Sequence, residues 1–201
     1  MTKIANPDHP IEPTLARRWS PYVFSSRPVE PQILRSLFEA ARWAASSFNE
    51  QPWRFLVAVQ DDQEGFAKLL ACLTPKNQEW AKQAPVLVIT AVKTAFTANG
   101  KPNRVALHDL GLAAGNLSAE ATVRGLSVHQ MAGVDLEAAR QAGAIPEGFE
   151  PATAIAIGYR GEPDQAAQPA HADRDAQERK RKPLSEIVFG PEFGRPASWL
   201  E

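Results

Sequence analysis

Apolar side chains along this chain alternate between helical and strand-like spacing. From Pro31 to Ala44 they recur at intervals of three and four, which predicts an amphipathic helix with Pro31 in its first turn. Residues 103–124 are predicted to form the longest helix, which Gly125 ends. Shorter helices are predicted at 14–18, 63–73, 77–83 and 135–143. Apolar runs predict strands at 54–59, 85–92, 126–130 and 153–159.

The order of these elements favours an α+β fold. The strand at 85–92 is apolar on both faces, so it is predicted to lie in the middle of a sheet. Several strands are separated by two helices, which argues for an open sheet flanked by helices rather than a simple doubly wound fold. Residues 14–160 form the predicted domain.

The two ends of the chain differ from this domain. Residues 1–13 contain three prolines and little periodicity, which predicts an N-terminal arm. Residues 161–181 are polar and dotted with proline, which predicts a long loop. Residues 183–189 regain apolar character and are predicted to dock as a last strand or arm. The segment 161–201 is therefore expected to be a C-terminal arm.

The interior of the longest predicted helix is unusually small. Gly111 and Gly115 flank two alanines there, although glycine inside a helix costs about 1 kcal/mol relative to alanine. We expect something to pack closely against this stretch, either another helix or a ligand. Close helix packing is the commoner cause.

Composition narrows the possible partners. The 201 residues carry a net charge of −1, so no global field attracts nucleic acid or an anionic membrane. The longest apolar run, 84–92, is too short to span a bilayer. The N-terminus lacks the basic start and apolar run of a signal peptide, so a cytoplasmic protein is expected.

The usual machinery of hydrolysis and nucleotide binding is not recognisable in the sequence. It contains no G-x-G-x-x-G, P-loop or G-x-S-x-G segment, and its four histidines lack metal-ligand spacing. Cys72 lies in an apolar helical pattern, which favours a buried small hydrophobe over a nucleophile. His108 and Asp109 are interpreted as a satisfied structural pair. Difficult chemistry without such machinery usually relies on a borrowed cofactor.

Three polar clusters could hold such a cofactor. Ser46, Ser47, Asn49 and Gln51 lie at a predicted helix-to-strand corner, and their amides can read both edges of a ring. The run R-R-W-S at 17–20 supplies guanidinium and hydroxyl donors suited to phosphate. A second basic run occupies 179–182, although such a run alone is more often a solvated face.

Taken together and in order, these segments resemble the FMN-dependent nitroreductase superfamily. The resemblance runs from about Arg17 to Phe189. It rests on R-R-W-S, A-A-R-W-A-A-S-S-F-N-E-Q-P-W-R-F, N-Q-E-W-A-K-Q-A-P-V, L-S-V-H-Q-M-A-G and R-K-R-K-P-L-S-E-I-V. It implies a nitroreductase-like α+β fold with a central, mostly antiparallel sheet and an intertwined homodimer with FMN at the subunit interface. The arm 161–201 would wrap the partner subunit.

The resemblance also implies which residues bind the cofactor. The basic segments would bind the phosphate and ribityl region of FMN. The polar corner would line its isoalloxazine ring, with part of that corner coming from the partner subunit. Residues following the third predicted strand would face flavin N5. The implied cofactor-binding residues are Arg17, Arg18, Trp19, Ser20, Tyr22, Ser46, Ser47, Asn49, Gln51, Asn77, Trp80, Gln130, Met131, Ala132, Gly133, Arg179 and Arg181.

The implied activity is transfer of hydride from NAD(P)H through flavin N5 to a nitroaromatic, quinone or enone-like acceptor, by a ping-pong mechanism. No side chain is expected to be catalytic, and no metal is expected. Tyr22 and Trp80 stand where related enzymes carry cations near the flavin N1 edge, so reduced flavin is expected to be less favoured. The alternatives are a non-catalytic FMN-binding or storage protein and a dimeric structural protein with a self-satisfied polar corner.

Overall fold

A four-stranded antiparallel sheet lies at the centre of the computed structural model, which describes residues 3–200. Its strands are β1 (Trp53–Val59), β2 (Val86–Lys93), β3 (Ser127–Met131) and β4 (Phe149–Gly158), in the order β1-β2-β4-β3. The α-helices in the described residues are α1 (Pro13–Arg17), α2 (Pro31–Arg42), α3 (Gln63–Ala71), α4 (Pro75–Ala81), α5 (Ala106–Val123), α6 (Leu136–Ala142) and α7 (Pro169–Ala176). The predicted α+β class and antiparallel sheet are confirmed.

Helices cover both faces of this sheet. On β2, Val86 and Val88 face the core formed with α2 and α5. Leu87 and Ile89 face the opposite core, which α3, α4 and α6 cover. Side chains alternate between the two faces of a strand, so a strand covered on both sides must be apolar throughout. This is why the periodicity at 85–92 correctly predicts a central strand.

The prediction of a long loop at 161–181 is wrong. Residues 169–176 form α7, and 183–189 contain a 3₁₀ turn at Leu184–Glu186 rather than a strand. Helix α7 is too short and polar to show a helical pattern, and tertiary contacts stabilise it. The Asp175 carboxylate accepts hydrogen bonds from the Tyr22 and Val23 backbone N–H groups at 2.9–3.1 Å.

The expected close packing on the small residues of α5 is made at Ala113 and Ala114, which are buried in the core shared with α2, but not at the two glycines. A Cβ added to Gly111 or Gly115 would meet no atom within 4 Å. The same outer face exposes Leu107 and Leu112. Residues 3–200 therefore leave an apolar, small-residue helix face uncovered.

The helices of residues 3–200 include no candidate membrane span. Among residues 3–200, no helix combines the length and the hydropathy needed to cross a bilayer.

Candidate functional site

Three arginines from the two ends of the chain form one cationic cluster. The charge of Arg181 adds to burial in lowering the pKa of Arg18, and burial with the charges of Arg18 and Arg181 lowers the pKa of Arg179. No carboxylate among residues 3–200 forms an ion pair with any of the three. Guanidinium groups held together without an acid are suited to a phosphate.

The neighbours of Arg18 differ in how they relate to this cluster. Ser20 joins it, because Arg18 donates a hydrogen bond to the Ser20 hydroxyl at 3.4 Å. The Lys3 Nζ lies over the Trp19 ring, 4.7 Å from its centroid. Trp19 and Lys3 also line a cavity of about 590 Å³. Arg17 ends α1 with its side chain exposed, and the contacts of the described residues do not connect it to the cluster.

The corner at Ser46–Gln51 has an unusual backbone. Phe48, Asn49 and Gln51 all have positive φ, at 52°, 55° and 50°. Left-handed backbone costs an ordinary residue about 1–2 kcal/mol, so three such residues in four positions form a strained turn. Phe48 is 93% exposed, and Asn49 is exposed beside it. The corner thus presents amide groups to the outside on a strained support.

Hydrogen bonds hold this corner closed. The Ser46 hydroxyl accepts from the Gln51 N–H at 3.0 Å, and the Gln51 side-chain amide donates to both oxygens of Asn49 at 3.1 Å. The Glu50 carboxylate accepts from the Thr97 N–H at 3.0 Å. Hydrogen bonds from Thr97, with a smaller contribution from Lys93, hold the pKa of Glu50 below its ordinary value. These hydrogen bonds hold the corner in one conformation.

Asn77 and Gly133 come together as one unit. The Asn77 side-chain amide donates to the Gly133 carbonyl oxygen at 3.2 Å. A Cβ on Gly133 would lie 2.5 Å from the Asn77 Nδ2 and 2.7 Å from the Thr74 hydroxyl. A larger residue here would have to displace the Asn77 amide or the Thr74 hydroxyl, so the start of α4 favours glycine at this position.

The rest of the third-strand segment is mixed. Gln130 is exposed and donates to the Ser118 hydroxyl at 3.3 Å. Met131 is buried in the core, so its side chain offers no surface to a ligand in this structure. Ala132 is exposed beside Gly133.

Tyr22 and Trp80 lie in a packed aromatic cluster. Trp80 is 1% exposed, and its indole lies 5.2 Å from the Tyr22 ring and 4.4 Å from the His129 ring, between centroids. The His171 ring stacks on Tyr22 at 5.6 Å. His129 Nδ1 donates to the Pro21 carbonyl oxygen at 2.8 Å, and burial lowers the pKa of His129. The structure thus gives Trp80 a packing role, because a buried indole presents no surface to a ring.

Asp109 is the site residue that sequence reasoning missed. Its side chain is 2% exposed at the start of α5 and accepts a hydrogen bond from the Ser47 N–H at 3.1 Å. The interpretation as a structural pair with His108 is wrong, because the His108 side chain is exposed on the other face of α5. An acid in line with the buried Ala113 and Leu117 was the available signal.

Chemistry other than cofactor binding has little support in these residues. Cys72 is buried, and burial raises the pKa of its thiol, as expected of a small hydrophobe rather than a nucleophile. Within residues 3–200, no three side chains of the metal-ligating acidic, His and Cys types come together.

Comparisons with known proteins agree with this fold. The sequence model of the nitroreductase family matches residues 15–159. The chain is 32% identical over 149 residues to an uncharacterized 15.4 kDa protein of Mycolicibacterium smegmatis, covering 71% of this chain and 99% of that protein. It is 29% identical over 90 residues to a Rhodopseudomonas palustris protein provisionally named NADH dehydrogenase/NAD(P)H nitroreductase, covering 45% of each.

Solved structures show the same similarity. A protein described as an oxidoreductase containing FMN superposes with a TM-score of 0.88 at 29% identity, covering 95% of this chain and 96% of that one. A nitroreductase family protein of Clostridium difficile 630 superposes with a TM-score of 0.69 at 22% identity, covering 90% and 97%. The second likeness concerns the fold alone. Because the family model matches 15–159, well over half of its length, the chain belongs to the nitroreductase family.

Proposed function

We propose that this protein is an FMN-dependent oxidoreductase that uses NAD(P)H to reduce a small acceptor such as a nitroaromatic, a quinone or an enone. The observation that carries the proposal is the cluster of Arg18, Arg179 and Arg181, which has no carboxylate partner in the described residues. The Arg179 guanidinium is held in the cluster by hydrogen bonds to the Lys3 and Ala16 carbonyl oxygens. A ligand of opposite charge would offset the repulsion among the three cations. A phosphate monoester is such a ligand.

The residues present fit FMN. Arg18, Ser20, Arg179 and Arg181 would hold the phosphate through charge-assisted hydrogen bonds. The corner residues Ser46, Ser47, Asn49 and Gln51 would meet the polar edge of the ring, because their amides and hydroxyls offer donors and acceptors on a turn that is already formed. Asn77 would supply a further amide, and Gln130, Ala132 and Gly133 would lie beside the reacting edge.

The chain's own residues would bind and orient rather than exchange protons. FMN, when bound, would supply the hydride transfer from NAD(P)H to the acceptor. Asn49 and Gln51 would fix the orientation of the ring, and Arg18 with Arg181 would fix its phosphate. We assign no catalytic side chain. One open site used in turn by reductant and acceptor implies ping-pong kinetics.

A homodimer would complete the site. The outer face of α5 leaves Gly111 and Gly115 uncovered beside two exposed leucines, and glycines let two helices approach closely. Ile187, Phe193 and Trp199 of the C-terminal arm are also exposed, and Phe193 is 95% exposed. Both surfaces would be covered by a second copy of the chain. Light scattering after gel filtration checks the mass.

The comparisons support the cofactor and the reductant to different degrees. The solved structure that is 29% identical over nearly the whole chain is an oxidoreductase described as containing FMN. NAD(P)H stands in the provisional name of the R. palustris protein, which is matched over only 45% of its length.

The proposal is tested by reconstituting the purified protein with FMN, desalting it, and recording anaerobic visible spectra before and after adding NADH or NADPH. A retained flavin band that bleaches supports the oxidoreductase. Absence of any retained band contradicts the proposed site and leaves the structural-protein alternative.

A second candidate is a non-catalytic FMN-binding or storage protein. It is favoured by Tyr22 and Trp80, which fill an aromatic cluster where a cation would stabilise reduced flavin. Burial lowers the pKa of His129 in the same cluster, so that imidazole supplies no positive charge at neutral pH. A retained flavin band that neither NADH nor NADPH bleaches supports this candidate.

A further inference from the structure

The strained corner at Ser46–Gln51 needs an anchor outside itself. Phe48, Asn49 and Gln51 have positive φ, and Ala144 is the remaining non-glycine residue with positive φ in residues 3–200. Strained backbone persists where surrounding structure holds it. The bond from the Gln51 N–H to the Ser46 hydroxyl lies within the corner and closes it without fixing its place on the fold.

Two carboxylates bind the corner to the rest of the chain. Glu50, near the C-terminal end of the corner, accepts a hydrogen bond from the Thr97 N–H in the loop that follows β2. Asp109 of α5 accepts a hydrogen bond at 3.1 Å from the N–H of Ser47, near the N-terminal end of the corner. Asp109 belongs to the helix that packs on α2 and the sheet, so it connects the corner to the buried core that these elements form.

The surroundings of Asp109 make this contact informative. Its side chain is 2% exposed, among Ala106, Leu110 and Ala113 on the buried face of α5. Burying a carboxylate in apolar surroundings is costly unless it is hydrogen-bonded. An apolar side chain would satisfy the core equally well, whereas the Ser47 N–H requires an acceptor.

We propose that Asp109 is a positioning residue, which holds the Ser46–Gln51 corner in its ligand-ready conformation before flavin binds. The inference rests on the proposed function, in which this corner orients the flavin ring. Asp109 acts through Ser47 and does not itself touch the ring. Replacing its acceptor therefore loosens the corner and weakens flavin binding, even where the fold survives.

The test compares three variants with the wild-type protein. Asp109→Ala and Asp109→Leu remove the acceptor, and the leucine keeps the shape of the buried side chain so that the core stays filled. Asp109→Asn keeps a carbonyl acceptor in the same place. Thr90→Val is the matched control, because it removes buried hydrogen bonds to Thr153 between β2 and β4 without touching the corner.

Two readouts separate the corner from the fold. The first is amide hydrogen exchange at Ser47 in flavin-free protein, which reports the hydrogen bond directly. The second is the Kd for FMN, from quenching of flavin fluorescence without any reductant. Melting temperature is recorded for each variant, so that a general loss of stability is recognised.

For Asp109→Leu and Asp109→Ala we expect Ser47 exchange and the FMN Kd each to rise at least about tenfold, as for a lost hydrogen bond to a charged group. Asp109→Asn should stay within about threefold of wild type on both, and Thr90→Val should lower only the melting temperature. Unchanged Ser47 exchange in Asp109→Leu would overturn the inference alone. A wild-type protein that does not bind FMN would overturn the proposed function, and with it the ligand-binding half of the inference.

Discussion

The polar corner at Ser46–Gln51 and the aromatic cluster around Trp80 differ in solvent exposure, in backbone strain and in what their side chains contact. The corner has a strained backbone, exposes Phe48 and the Asn49 amide, and leaves its other residues half-buried. In the cluster, Trp80 and His171 are buried and Tyr22 and His129 are half-buried, and the rings pack against one another at centroid distances of 4.4–5.6 Å. Family resemblance assigned residues of both regions to the same cofactor.

The difference shows how a binding surface and a packing surface can be told apart. Backbone strain and outward-facing polar groups do not stabilise the folded chain. They are therefore expected where they contribute to binding a ligand. Aromatic rings packed edge to face and stacked contribute to stability by their own contacts. We therefore expect substitutions in the first group to change flavin affinity and substitutions in the second to change stability.

The largest effect on FMN affinity is expected at the proposed phosphate site, which belongs to neither the corner nor the aromatic cluster. In Arg18→Ala/Arg181→Ala, the loss of two charge-assisted hydrogen bonds to phosphate should weaken FMN binding by about 3–6 kcal/mol, or roughly 10²–10⁴-fold. Isothermal titration with FMN measures it, with far-UV circular dichroism to check the fold. Lys180→Ala/Lys182→Ala removes the same charge from exposed positions of the same run and should retain FMN. Stoichiometric FMN in the arginine variant would refute the phosphate assignment.

The next effect concerns the aromatic cluster. Trp80→Ala should lower the free energy of unfolding by about 3–5 kcal/mol, because it opens a cavity between Tyr22, Phe24 and His129. Denaturant titration measures it. Trp80→Phe, which keeps most of the volume, should cost less. The folded fraction of either variant should bind FMN about as the wild type does.

A tenfold weaker FMN affinity in Trp80→Phe at unchanged stability would contradict the packing role. In that case the family-based assignment of Trp80 to the cofactor would stand.

A smaller effect is expected in the corner. Asn49→Gly removes the side-chain amide and keeps the left-handed backbone accessible, since φ at Asn49 is 55°. FMN affinity should fall by about 0.5–1.5 kcal/mol, the net value of one hydrogen bond, while the unfolding free energy changes by less than about 1 kcal/mol. Flavin fluorescence titration and thermal melting measure the two. Ser36→Gly, at a half-buried serine on α2, serves as a control with no expected effect on affinity.

The smallest effect is the pH dependence of the cluster. Burial lowers the folded-state pKa of His129 below its ordinary value near 6.5, so below that pH the unfolded chain binds more protons. Stability should therefore fall as the pH drops below 6.5. Burial raises the pKa of Asp175, which gives the opposite sign at more acidic pH.

Thermal melting at pH 7.5 and 5.5 checks this slope, with His129→Gln as the variant and His9→Gln, an exposed histidine, as the control. The melting temperature of His129→Gln should fall less between the two pH values than that of the wild type. Equal falls would show that His129 does not dominate the pH dependence.

Much of the fold followed from local patterns. The α2 helix begins at Pro31, as predicted, because proline fits the first turn and Leu37 with Ala41 fall on one face. Asp135 caps α6 through the Ala138 N–H, as the sequence suggests. Helix α7 could not be found this way, because its stability comes from Asp175 and His171 meeting residues near Tyr22, about 150 positions away.

The candidate site was predicted unevenly for the same reason. Residue types with donors for phosphate were visible at Arg18, Ser20 and Arg181, and the structure brings them together. The resemblance assigned Gly133 to the cofactor, and only the structure shows that Asn77 and Thr74 lie against it. Asp109 was misassigned to His108, because sequence neighbours on a helix point to different faces.

Periodicity and composition by themselves determined the α+β class, the buried central strand, the bounds of α1 to α6 to within a few residues, and the polar character of the corner. These properties depend on spacing along the chain, which the sequence contains directly. Only the tertiary structure decided which polar residues are strained and exposed, which aromatic residues are packed, and which acid holds the corner. Those outcomes depend on contacts between residues far apart in the chain, and such contacts exist only once the sheet and its two helical layers have formed.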